Sequence, residues 1–183
     1  MDLHEKKISY GYLERREEER IVFQQTIAEI DPSTLVYLDE AGIDDNETYA
    51  YGWGFKGERV YGMRASKRDK RISIISTLNQ TELKAPFVFE GYCNHAVFET
   101  YIEKVLLPVL VSGQTLVMDN ASFHKSKKIQ RLIESKGCKL LYLPAYSPDF
   151  NPIEHYWHMI KSKMRKCLKS NKNLYDAAQV AFS

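Results

Sequence analysis

Residues 35–42 read Leu35-Val36-Tyr37-Leu38-Asp39-Glu40-Ala41-Gly42, a short aliphatic run that opens onto acids and then small residues. Four consecutive apolar or aromatic positions bounded in this way are the pattern of a buried strand, with Asp39 at its end. The arrangement recurs at Leu116-Val117-Met118-Asp119, which opens onto Asn120-Ala121. A third acid, Glu154, follows the Pro- and Asn-rich stretch 144–152 and stands at the start of a long helical pattern. Carboxylates gathered from two strand ends and one helix start can hold divalent ions. Such a cluster suits phosphoryl-transfer chemistry on a nucleic-acid backbone.

Outward from these acids the chain alternates. Residues 12–30 form a charged amphipathic pattern with Leu13, Ile21, Ile27 and Ile30 on one face, stopped by Asp31-Pro32. The Gly- and aromatic-rich stretch 49–62 predicts a hairpin turning near Lys56-Gly57. Strands are expected at 71–78, 87–89 and 140–143, and helices at 94–110, 126–136 (closed by Gly137) and 152–169. This order predicts an α/β domain: a mixed sheet with helices on both faces. Residues 1–33 read as a helical lead-in and 34–183 as one catalytic domain, a size at which a single core is sufficient.

The hydrophobic share of 44% and charged share of 27% are those of an ordinary globular protein, and the net charge of +2 says little. Its distribution says more. Lys56, Arg59, Arg64, Lys67, Arg68, Lys70 and Arg71 crowd one segment, and 161–172 carries six lysines and arginines without an acid. A lone run of this kind is usually a solvated face, but two of them flanking a carboxylate cluster point to a polyanion. Cys93, Cys138 and Cys167 fit neither a disulfide framework nor a zinc site, and the histidine spacing fits no zinc motif either. They read as reduced thiols. No signal-like or membrane-length apolar run is present, so a cytoplasmic location is expected.

Each acid has a plain structural alternative. Asp39 and Asp119 would serve as turn residues, and Glu154 as the reciprocal half of a capping box with Asn151 as N-cap and Pro152 as the first helical residue. The joint pattern favours function. Beyond Glu154, the positions His158, Lys161, Arg165 and Lys169 recur on one helical stripe beside the apolar stripe Ile153, Trp157, Ile160, Met164 and Cys167. Two divalent ions about 4 Å apart can serve both ends of an in-line displacement at phosphorus, and three oxygen donors suffice to hold them.

Four blocks carry a family resemblance: 36–42 (VYLDEAG), 53–57 (WGFKG), 118–124 (MDNASFH) and 143–154 (LPAYSPDFNPIE). With 34 residues between Asp119 and Glu154, the chain resembles the catalytic domain of DDE transposases of the mariner-type superfamily, in the bacterial insertion-sequence branch. The likeness runs over roughly 35–169. It implies an RNase H-like fold and two Mg²⁺ or Mn²⁺ ions held by Asp39, Asp119 and Glu154. It also implies cleavage of transposon ends, joining of the 3′-hydroxyl to target DNA, and a homodimer acting in a bacterial cytoplasm. Lys67, Arg68, Lys70, Arg71, His124, His158, Lys161 and Arg165 are the candidate DNA contacts. The chain departs from the family where about thirty residues precede the first strand without a helix-turn-helix pattern, so specific recognition of terminal repeats is not expected of it alone. The competing expectations are an RNase H-like nuclease that does not join ends and a catalytically silent DNA-binding remnant.

Overall fold

The computed structural model describes residues 13–46, 54–61, 70–170 and 173–182. Five strands, β1 (Leu35–Asp44), β2 (Arg71–Asn79), β3 (Glu82–Glu90), β4 (Thr115–Met118) and β5 (Lys139–Tyr142), form one sheet in the order β3-β2-β1-β4-β5. The first three are antiparallel neighbours, and β4 and β5 join parallel to β1. Five helices accompany them: α1 (Glu17–Ala28), α2 (His95–Tyr101), α3 (Lys127–Ser135), α4 (Ile153–Lys169) and α5 (Leu174–Phe182).

Side chains alternate across a strand, so each strand feeds two cores. Val36, Leu38, Leu116 and Met118 face α2 and α3 through Phe98, Tyr101, Ile129 and Ile133. Ala41, Ile43, Ile72 and Ile74 face the other way, onto Ile153, Trp157, Ile160 and Met164 of α4 and Leu174, Ala177 and Ala178 of α5. Leu35 and Val117 meet Phe23 of α1 and Leu143. The mixed sheet with helices on both faces is the predicted architecture. The same alternation turns Asp39 toward α4 and its neighbour Glu40 toward α2 and α3.

Several expectations need correction. The first strand does not end at Asp39. Only its pairing with β4 ends, at Leu38↔Met118, while pairing with β2 continues to Asp44↔Arg71. Ala41-Gly42 looked like a strand stop, yet Ala41 and Ile43 are buried against the α4–α5 core, and the Arg71 guanidinium lies across Gly42 where any β-carbon would meet it. The helix expected over 94–110 is regular only through Tyr101, then widens into a π-turn at Ile102–Leu106, with Leu107 N–H donating to Ile102 O at 2.9 Å. Of the predicted hairpin, residues 54–61 hold a turn at Lys56-Gly57 and no strand; its other residues lie outside the described ones. Helix α5 was not predicted at all. On the outer strand β3, the register slips between Ile75 and Thr77 of β2, and Ala85 there takes φ +51° just before Pro86.

Candidate active site

Asp39 sits where β1 leaves β4, and it is 8% exposed. Trp157, one turn into α4, donates its indole Nε1–H to Asp39 Oδ2 at 3.0 Å. Burial pushes the Asp39 carboxyl up to about 7, and the nearby charges of Glu154 and Glu40 add to the rise. Asp119 follows β4 directly and accepts from Ala121 N–H at 3.0 Å, closing a tight turn on its own side chain. Glu154 lies in the first turn of α4 with its side chain exposed. The capping box that stood as the structural alternative for Glu154 does not form among the described residues: α4 starts at Ile153 behind Pro152 without a side-chain cap. Asn151 Oδ1 is buried without a hydrogen-bond partner among the described residues.

All three acids line one cleft of about 400 Å³, together with Asn120, Tyr146, Ser147 and Asn151. The donor set is all oxygen, as hard divalent cations require, and Asn151 adds an orphaned carbonyl oxygen to it. Among the described residues, no three His, Cys, Asp or Glu side chains are grouped to hold a single ion. Two ions would not need such a trio, because hydrated Mg²⁺ is commonly held by one or two carboxylates with waters in its remaining positions. The mutual repulsion at Asp39 is the kind of cost a bound cation offsets.

His124 occupies a different place from a DNA-facing side chain. It is 1% exposed. Its Nε2 meets Glu40 Oε1 at 2.8 Å, and its Nδ1 approaches Asp119 Oδ1 at 2.5 Å as an ion pair without an aligned hydrogen bond. The rings of Phe98 and Phe123 lie against it, each with its centroid at 4.2 Å. Burial alone would lower the imidazole, but the two carboxylates win and push it up to about 9. Burial likewise would raise Asp119, but its contacts with His124 and the Ala121 N–H hold it below the usual carboxylate range. The His124 ring therefore lies between the Asp119 and Glu40 carboxylates, which favour its charged form. The chain motif MDNASFH contained this histidine, but Glu40 gave no sign of being its second partner.

The basic candidates are scattered. Arg71 engages Asp44 at 3.1 Å and stacks on Tyr92 at 4.6 Å, five strand positions from Asp39. Lys70 and His158 are exposed, and Lys161 and Arg165 are half-buried along α4. Lys67 and Arg68 lie outside the described residues. Sequence reasoning took Trp157 for a core residue only. It is that, and also, among the described residues, the side chain that donates to Asp39. Trp157→Phe deletes the donor together with the pyrrole half of a buried indole, so the metal-free protein should lose stability at both pH values, by about 1–3 kcal/mol more at pH 8 than at pH 5, where Asp39 is largely protonated. Urea denaturation at the two pH values checks this; a pH-independent loss would assign the effect to packing.

The fold and this cleft define a nuclease-type α/β domain, with one acid inside β1, one just after β4 and one in the first turn of α4. A family profile described as DDE superfamily endonuclease matches residues 34–175, and the chain belongs to that family. The Tcb2 transposable element transposase of Caenorhabditis briggsae is 36% identical over 81 residues, covering 42% of this chain and 30% of that protein. An uncharacterized 39 kDa protein of insertion element IS630 from Shigella sonnei is 24% identical over 128 residues, covering 69% of this chain and 37% of its own length. Among solved structures, the Mos1 mariner paired-end complex with Mn superposes with a TM-score of 0.66 at 17% identity, over 92% of this chain and 54% of that one. That likeness establishes an RNase H-like fold. The chain spans about a third of the length of the curated relatives it matches. Among the described residues, no helix is long and apolar enough to cross a membrane.

Proposed function

We propose that this chain is the metal-dependent catalytic domain, over 34–183, of a DNA transposase that cuts transposon ends and joins the freed 3′-hydroxyl to target DNA. The observation that carries this reading is the convergence of Asp39, Asp119 and Glu154, from three separate segments, on one cleft. The Mn and Mg of the similar Mos1 paired-end complexes support metal use, and the Mos1 complex with the left transposon end supports DNA as the partner.

In this reading Asp39, Asp119 and Glu154 would together hold the divalent ions. Divalent ions held there would activate the attacking oxygen and stabilise the leaving one. The chain's own residues do the positioning. Trp157 fixes the Asp39 carboxylate, and His124 fixes Asp119. Asn120, Ser147 and Asn151 offer polar groups along the cleft wall to a phosphate backbone. Exposed and half-buried cations, Lys70, Arg71, Lys161 and Arg165, with Lys67 and Arg68, would add sequence-independent attraction that weakens with salt, and His158 would add a polar contact. A homodimer on paired ends follows from the family likeness.

The test is Mg²⁺-dependent nicking of plasmid DNA, and joining of a duplex with free 3′-hydroxyl ends, by wild type and Asp119→Asn. Asp119→Asn should be slower by about 10³-fold or more, roughly 4 kcal/mol of transition-state stabilisation. Equal rates would overturn the catalytic assignment. Nicking without joining would leave a nuclease.

A further inference from the structure

We propose that Arg20 is a positioning residue for Glu154, reaching it from α1 through Asp149 and Phe150; this rests on Glu154 being a metal-binding acid. Arg20 is 4% exposed on a helix whose other charged residues are mostly solvated. Its guanidinium forks onto Asp149, Nη1 to Oδ1 at 3.0 Å and Nη2 to Oδ2 at 2.7 Å. The same group lies 3.8 Å from the centroid of the Phe150 ring, which stacks on Phe23 of α1 at 5.4 Å and 17°. A bidentate, desolvated, ring-stacked arginine fixes its partners in direction as well as distance. Lysine would not reproduce it.

Asp149 and Phe150 belong to the 3₁₀ turn Pro148–Phe150, and the two sides of this segment do different things. Ser147, Pro148, Asn151 and Glu154 line the cleft, while Asp149 and Phe150 are held by α1. On the cleft side the Asn151 and Glu154 side chains make no hydrogen bond among the described residues, and α4 begins without a side-chain cap. Backbone bonds close the turn locally, Ile153 and Trp157 seat α4 in the core, and the polar side-chain anchor of the turn itself is on α1. The Asp149 carboxyl is held below the usual range by its bond to Arg20, as a real ion pair requires. The family match begins at residue 34, so α1 lies outside it while Asp149 lies inside.

The experiment measures Mn²⁺ binding to metal-free protein by calorimetry at pH 8, at a temperature where every variant is folded by circular dichroism. Arg20→Met and Asp149→Asn should each weaken binding by about 5- to 10-fold, and the double variant by no more than either alone, because both break one coupling. Arg20→Lys should fall between them and wild type. A purely structural Arg20 would lower the melting temperature in EDTA and leave the Mn²⁺ constant unmoved, which would overturn the proposal. Should Arg20→Met fail to fold, Asp149→Asn, at a half-exposed side chain, decides the matter alone. Glu154→Gln separates the two levels. If it binds Mn²⁺ like wild type, the assignment of Glu154 as a ligand fails. If it weakens binding while Arg20→Met and Asp149→Asn do not, only the role of Arg20 fails.

Discussion

Asp39→Asn is expected to abolish Mg²⁺-dependent DNA cleavage, by about 10³-fold or more, and to make the metal-free protein more stable at pH 8. The second half follows from where this carboxyl sits. Burial first, then Glu154 and Glu40, raise it from its ordinary 3.8 to about 7 in the folded state. Its protonated form suits the folded site, so its contribution is fully present below pH 3.8 and is lost as the pH climbs through about 7. A shift of this size corresponds to about 4 kcal/mol at most. Asparagine is neutral at every pH and its Oδ1 can still accept from the Trp157 indole, so it escapes the penalty. Denaturation in EDTA should show wild type losing stability more steeply than Asp39→Asn between pH 4 and 8, the variant keeping only the loss that His124 brings above pH 6.5. Added Mg²⁺ should restore wild type alone. A variant no more stable than wild type at pH 8 would mean that the buried charge is not the cost proposed.

His124→Ala is expected to be among the most damaging single changes in the molecule, at about 3–5 kcal/mol. It removes the cation between Asp119 and Glu40 and leaves their charges facing an apolar pocket under Phe98. The sign with pH is opposite in kind to a depressed acid. His124 rises from 6.5 to about 9 on folding, so its stabilisation is fully present below pH 6.5 and fades as pH passes through about 9. The gap between wild type and His124→Ala in urea denaturation should therefore narrow between pH 6 and pH 9.5. A gap of constant size would show that the ring is there for its shape. Asp119 should also lose its fixed direction, so residual cleavage by this variant should need more metal.

The two halves of the molecule differed in how plainly the sequence announced them. The β1 and β4 runs and the acids after them were legible because a strand buried on both faces leaves an uninterrupted apolar run, and Leu38 and Met118 are fully buried. The continuation of β1 to Asp44 was not, because Ala41-Gly42 carries the small residues of a turn. Only the passage of Arg71 over Gly42 explains the glycine, and that contact is 29 residues distant in sequence. Helix α5 escaped notice because it is nine residues long and its face is built from alanines, whose burial depends on α4 and β2. At the site, the three acids were found by their joint pattern. What holds them was not. Trp157 on Asp39, Glu40 on His124 and Arg20 on Asp149 join residues 118, 84 and 129 positions apart, and no local periodicity encodes such pairs.

The outer strand β3 has a consequence for how copies of this chain meet. An open strand margin is a template on which another chain can continue the ladder, and an unbroken one leads to fibres. Here the slipped register beside Thr77, the left-handed Ala85 and the donorless Pro86 interrupt that template at mid-length, with Glu82, Lys84 and Glu90 placing charge along it. The opposite margin, β5, is four residues long. These interruptions, among the described residues, disfavour an edge-to-edge continuation of the sheet from one copy of the chain to the next.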